Sequence, residues 1–376
     1  HLQRTKAVVQ QLTTTADVEM SGEYQYDLAA LRGLLIPSAG DKIVVAGQGT
    51  RPFHFRGSVG QIIASTTVPA ENRAPGDSSW SQLIAEASVG WDRLEAYGLV
   101  LGASEAHGVL EHGIVQFKPI RTTLNGGQLD LSSALRLQER NSVLTVDAGP
   151  VVKSSRISPE VCQSWLQYIA PLLANSTRAE GEFSLDLHRA AIPVNAPQNS
   201  DIAGVVTIHS AQVSPGPMAE QLVAIARQIE TVMKRGSLNG SGGGRSTELI
   251  LKTQRVAFVV VDQTVSHNGF QVEIGDVLIE TSGVVGMEGS LQVIAEVPIR
   301  DSWVERDRYL ASLKGQTLKF PITGTISRPK VDNRALTDIA RQMAASAAGG
   351  LLDDAINKGV QKGLGDLFKQ GPKQGR

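Results

Sequence analysis

The feature that most constrains this chain is the two-residue period of its apolar positions. Phe183, Leu185 and Leu187 alternate with Glu182, Ser184, Asp186 and His188. Leu291, Val293, Ala295, Val297 and Ile299 occupy every second place in one run, and Phe270, Val272 and Ile274 in another. Successive side chains of a strand point to opposite sides, so each run gives one apolar and one polar face. Between the runs stand turn signals: Asn125-Gly126-Gly127, His267-Asn268-Gly269, Ser282-Gly283 and Glu288-Gly289. Asn and Gly tolerate the positive φ of tight hairpins. Parallel strands would need a long crossover between each pair, so short polar turns predict an antiparallel meander.

Helical patterns are few. Ser158-Pro159-Glu160 reads as a cap, a first-turn proline and an early carboxylate, followed by Val161, Trp165, Ile169 and Leu172 on one face. A second helix is predicted from Pro217 to Lys234, with Met218, Leu222, Ile225, Ile229 and Val232 at helical spacing. A short helix is expected within Asp301–Leu313 and a long amphipathic one from Asn333, with Gly349-Gly350 as a kink. The glycine-rich stretch 237–245 reads as a flexible linker. The expected organisation is a β-rich segment at 1–80, a sheet module with two helices at 81–236, the linker at 237–245, a second β module at 246–331 and a helical tail at 332–376.

Composition narrows the function. The 376 residues carry 36 basic and 37 acidic side chains, a formal net charge of −1, which speaks against nucleic acid as a partner. The single cysteine, Cys162, excludes an intrachain disulfide and multi-cysteine metal sites. No apolar run approaches the roughly 20 residues of a spanning helix. The chain starts at His1 rather than Met, from which we expect a fragment whose N-terminal membrane anchor is missing.

Motifs for catalysis are not found. The Gly240–Gly244 run lacks the lysine and the strand–loop–helix order of a phosphate loop. There is no G-x-S-x-G and no H-E-x-x-H. His107 and His112 read as loop histidines, and His54 should point away from Phe53 and Phe55. Neither a catalytic residue, a metal ligand nor a cofactor is expected. The abundant signal is the apolar strand face, which fits either a closed sandwich core or an open groove for acyl chains. Each CH₂ removed from water by such a groove gains about 0.8 kcal/mol. The tail carries Lys358, Lys362, Lys369, Lys373 and Arg376 against Asp353, Asp354 and Asp366. That pattern fits a membrane surface, a docked partner or a helix packed on its own sheet.

Several segments, in order, resemble the AsmA-like C-terminal region of envelope proteins. Glu86–Val100 (EASVGWDRLEAYGLV) is similar to its paired short strands. Gly108-Val109-Leu110 through Phe117-Lys118-Pro119-Ile120 to Leu124-Asn125-Gly126-Gly127-Gln128-Leu129 is similar to its strand, apolar-Pro, strand, glycine-pair signature. Val284–Pro298 (VVGMEGSLQVIAEVP) resembles a G-x-x-G-S-L strand pair, and Leu318–Val331 (LKFPITGTISRPKV) its closing pair. The resemblance spans roughly residues 85 to 368. With the related TamB and YdbH-like proteins, it implies a curled, taco-like antiparallel sheet with an apolar groove, capping helices and a C-terminal helix. It also implies a periplasmic, inner-membrane-associated protein of phospholipid transport and outer-membrane biogenesis. The residues expected to line the groove are Phe183, Leu185, Leu187, Phe258, Val260, Leu291, Val293 and Val297. The expected partners are phospholipid or another acyl-chain lipid, the inner membrane through the missing anchor and, at the C-terminal helix, an envelope protein. The rival is a non-catalytic scaffold working through protein contacts.

Overall fold

A computed structural model describes residues 2–10, 17–30, 43–58, 80, 82–138, 141–233, 249–304, 314–332, 334, 337 and 341. The described strands form one antiparallel sheet. It begins with β1 (Leu2–Gln10) and β2 (Asp17–Asp27). Then come strands broken near their middles: β3 (Ile43–Ala46) with β4 (Gln48–Ser58), β5 (Ile84–Trp91) with β6 (Arg93–Ala96), and β7 (Leu99–Leu101) with β8 (Ser104–Glu111). The pattern continues in β9 (Ile114–Phe117) with β10 (Ile120–Leu124), β11 (Gly127–Leu131) with β12 (Ser133–Arg136), and β13 (Val143–Val146) with β14 (Gly149–Arg156). Two long strands follow, β15 (Ala179–Pro193) and β16 (Asp201–Val213). After the broken strand of β17 (Leu249–Leu251) and β18 (Gln254–Val261) come β19 (Thr264–Ile274), β20 (Val277–Gly286), β21 (Leu291–Pro298), β22 (Thr317–Thr325) and β23 (Arg328–Val331).

With each broken strand taken as one, every pairing joins neighbours in sequence, an up-and-down meander. The expected antiparallel, mainly β class is what the chain adopts. β4 pairs with β5 across the 80/81 boundary, and β16 pairs with β17 and β18 across the 237–245 stretch, so the modules share one sheet.

The turns follow the sequence unevenly. Asn125 and Gly126 both hold positive φ between β10 and β11, as a two-residue hairpin loop needs. His267-Asn268-Gly269, read as a turn, is instead a bulge inside β19: the register against β20 shifts between His267 and Phe270. The turn before it is made by Asp262 and Gln263, two non-glycine residues at positive φ.

Among the described residues, helices off the sheet include three that follow β14. α1 runs through Pro159–Val161, Cys162–Leu166 and Gln167–Ile169, its middle piece wound as a π-helix, and passes into a 3₁₀ turn at Pro171–Leu173. Ser158 caps it as predicted, its hydroxyl accepting from the Val161 N–H at 3.3 Å. α2 spans Pro217–Met233, with Met218, Leu222, Ile225 and Ile229 buried. α3 is a single turn, Asp301–Val304. The linker, the rest of the Asp301–Leu313 helix and nearly all of the tail from Asn333 lie outside the described residues. Both α1 and α2 pack on the C-terminal part of the sheet. The Tyr168 hydroxyl donates to the Met287 carbonyl at 3.1 Å, and Gln221 Nε2 donates to the Pro329 carbonyl at 2.6 Å.

Candidate functional site

Register decides which side chains meet. Directly opposed residues of an antiparallel pair share a face. One cross-strand row therefore runs Ala190–Ile202–Val260–Val265–Val285–Leu291, from β15 to β21. The adjacent row contains Phe258, His267, Gly283, Val293 and Ile322. All eight residues predicted for the apolar face lie on this one side.

They do not share one environment. Phe183, Leu291, Val293 and Val297 are at most 2% exposed and belong to a closed core beneath the helices. Phe183 meets the Trp165 ring edge-on at 5.2 Å. Leu185, Leu187, Phe258 and Val260 line a partly open cavity of about 480 Å³. So the structure brings four of the eight together at a cavity, and places the other four in packing that no ligand reaches. Leu187, Phe258 and Val260 are themselves buried members of that core, and Leu185 packs against it.

The rest of the cavity was not anticipated. From β15 come Ala190 and Ile192, from β13 Val146, from β16 Ile202 and from β19 Val265. α1 forms the roof with Trp165, Tyr168 and Ile169. The sequence signal for the roof existed, since Trp165 and Ile169 sit on the predicted apolar face of that helix. What the pattern lacks is which part of the sheet the helix covers. Among the described residues the walls carry no charged side chain. The hydroxyl of Ser200 is committed to the Pro197 carbonyl at 2.6 Å. The Trp165 indole N–H is buried without an acceptor. An interior like this offers burial and shape, and no acid–base pair.

The apolar face continues beyond the cavity. Met20, Phe55, Ala85, Leu110, Val115, Leu135, Leu144 and Ile192 are opposed pair by pair across eight strands. Seven strand spacings of about 4.8 Å make this row roughly 34 Å long. Except for Leu110, its members are only half-buried. It ends at Ile192, inside the cavity.

Titratable groups on this side are sparse. His267, beside Phe258 in register, is 3% exposed, and burial pushes its imidazole down to about 4. Its Nδ1 has no partner and its Nε2 stands 3.5 Å from the Thr281 hydroxyl. Burial first, and the Glu160 charge second, push the Cys162 thiol up to about 12. His107 and His54 pair with Glu86 at 2.8 Å and Glu19 at 3.1 Å, and His112 sits at positive φ in the β8–β9 turn. Among the described residues no cluster of three or more His, Cys, Asp or Glu could hold a metal ion, and no helix is long and apolar enough to cross a membrane.

No family model, curated protein or solved structure matches this chain.

Proposed function

We propose that the protein is a passive lipid-binding or lipid-conducting module, with the apolar strand face curled into a taco-like groove that shields acyl chains. The observation that carries this reading is the uncharged 480 Å³ cavity, continued in register by a half-buried apolar row. At about 0.8 kcal/mol per CH₂, ten buried methylenes supply roughly 8 kcal/mol before ordering costs. The row is about as long as the roughly 30 Å hydrocarbon core of a bilayer, more than one acyl chain occupies. That length suits conduction along the sheet better than a single closed pocket. From the resemblance to AsmA-like proteins we infer work in the periplasm, at the inner membrane, moving phospholipid toward the outer membrane without a catalytic step.

Native mass spectrometry on protein purified without detergent tests the reading. Stoichiometric phospholipid is expected, and Leu185→Trp, which narrows the cavity, should lower its occupancy with little change in melting temperature. A folded protein that stays free of lipid after incubation with liposomes would sink it and favour the scaffold role.

A further inference from the structure

A polar pocket flanks the apolar row. Where β3/β4, β5/β6 and β7/β8 are broken, a second cavity of about 450 Å³ is lined by Tyr26, Arg51, Trp91, Asp92, Glu105 and Arg121, among others. Strands approach closely here: a Cβ on Gly90 would meet Arg51 Nη2 at 3.0 Å and Tyr26 Oη at 3.2 Å. Tyr26 is fixed by its hydroxyl, which donates to the Gly90 carbonyl at 3.1 Å and accepts from the Gly90 N–H at 2.8 Å. The Trp91 ring is held by its indole N–H, which donates to the Gly102 carbonyl at 2.9 Å.

Aromatic rings join this pocket to the apolar row. Phe53 follows Arg51 by two residues on β4, hence on the same side, and precedes Phe55 of the row by two. Phe53 lies 6.3 Å from Tyr24, and Tyr24 5.9 Å from Tyr26, ring centre to ring centre. Within one stretch of sheet the surface passes from phenylalanine through tyrosine to guanidinium.

The charges in the pocket balance, two guanidinium groups against two carboxylates. They are incompletely satisfied by one another. Arg51 Nε is buried without a hydrogen bond, 3.5 Å from the Glu105 carboxylate, while one Nη donates to the Thr50 carbonyl at 3.3 Å. Arg121 gives its Nε to Asp130 at 3.0 Å, and its side chain is otherwise largely exposed, at 74%. The Arg51 side chain is 35% exposed as a whole, and a phosphate oxygen offers an acceptor with the fork geometry that Arg favours. Two carboxylates beside it disfavour a purely anionic ligand, and suit an ammonium group, for which Trp91 offers a π face.

We propose that this pocket is a headgroup subsite for a zwitterionic phospholipid. Its phosphate lies toward Arg51 and Arg121, its ammonium toward Asp92 and Glu105, and its chains along Tyr24, Phe53 and Phe55. The proposal rests on the lipid-binding reading and adds selectivity for the headgroup.

The test uses the full chain and short-chain probes below their micelle threshold: dihexanoyl phosphatidylcholine, dihexanoyl phosphatidylglycerol and dihexanoylglycerol, titrated by tryptophan fluorescence. Phosphatidylcholine should bind about tenfold more tightly than either of the others. Arg51→Gln should erase its advantage over dihexanoylglycerol. Asp92→Asn, at an exposed position, should shift preference toward phosphatidylglycerol, which loss of fold would not do. Equal affinity for the three probes in the natural protein, with binding intact, overturns the headgroup site and leaves the groove standing. Binding of inorganic phosphate without any preference among the lipids also overturns it, as an ion site only. Failure of all three probes to bind removes the groove reading, and the headgroup site with it.

Discussion

The strands before β15 and those from β15 onward obey one rule of pairing and differ in what covers them. In the first region the apolar row is half-buried at Phe55, Val115 and Leu144, while Leu124, Leu129, Val151 and Val152, nearer to α1 in sequence, join the core. In the second, Val256, Val293, Phe320 and Ile322 are sealed from water. The strands themselves are alike in period and polarity. The difference comes from two long connections, β14 to β15 and β16 to β17, which carry α1 and α2 instead of a two-residue turn. Those helices cover β19 to β23 and end over the cavity at Trp165, Tyr168 and Ile169. Among the described residues, the same alternation thus makes a core where a helix lies above it and a half-buried face where none does.

The sharpest way to break this comparison is a matched pair of charges. Val293→Asp puts an unpaired carboxylate in the closed core and should cost more than about 4 kcal/mol, enough to unfold most domains. Leu135→Asp, half-buried on the uncovered row, should cost about 1 kcal/mol. Denaturant melts giving equal losses would show that the two regions are not differently covered.

A smaller effect is read from pH. His267 is held neutral in the fold, near 4, against about 6.5 in the unfolded chain. Between these values the unfolded state binds the extra proton, so stability falls as pH drops from 6.5 toward 4, by roughly 3 kcal/mol, and is fully present above 6.5. His267→Leu should flatten that limb of a stability–pH curve. An unchanged slope would mean that the imidazole is not buried as described.

Next in size is the roof. Ser158→Ala removes the cap of α1 and should cost about 1 kcal/mol in chemical denaturation, with faster amide exchange in α1 than in β15. The smallest expected change is none at all. Cys162, packed in α1 with its thiol held protonated, should resist maleimide at pH 8 in the folded protein and react on unfolding. Labelling of the native protein would show that the roof opens.

Much of this was legible in the sequence. The alternation at Phe183–Leu187 and Leu291–Ile299 places those side chains on the face they occupy. Asn125-Gly126 and the Ser158 cap act as read, because both are local devices settled within a few residues. His267-Asn268-Gly269 misled for the same reason. Positive φ at Gly269 serves a bulge as well as a turn, and only the partner strand distinguishes them. Asp262-Gln263 carries no glycine and gave no signal, its conformation being imposed by the strands it joins.

The candidate site was legible by face and illegible by cover. Periodicity told which side of each strand is apolar, since side chains alternate at every step. Leu185 and Val293 are alike to that test. One lines a cavity and the other is shut in a core, because α1 and α2, far away in sequence, settle over part of the sheet. The polar pocket was likewise hidden, since Arg51, Asp92 and Arg121 are brought together only by strand register. The sequence by itself determined strand polarity, face and the local caps, all of them short-range. The tertiary structure alone decided what is covered, because burial depends on contacts between segments that no local pattern specifies.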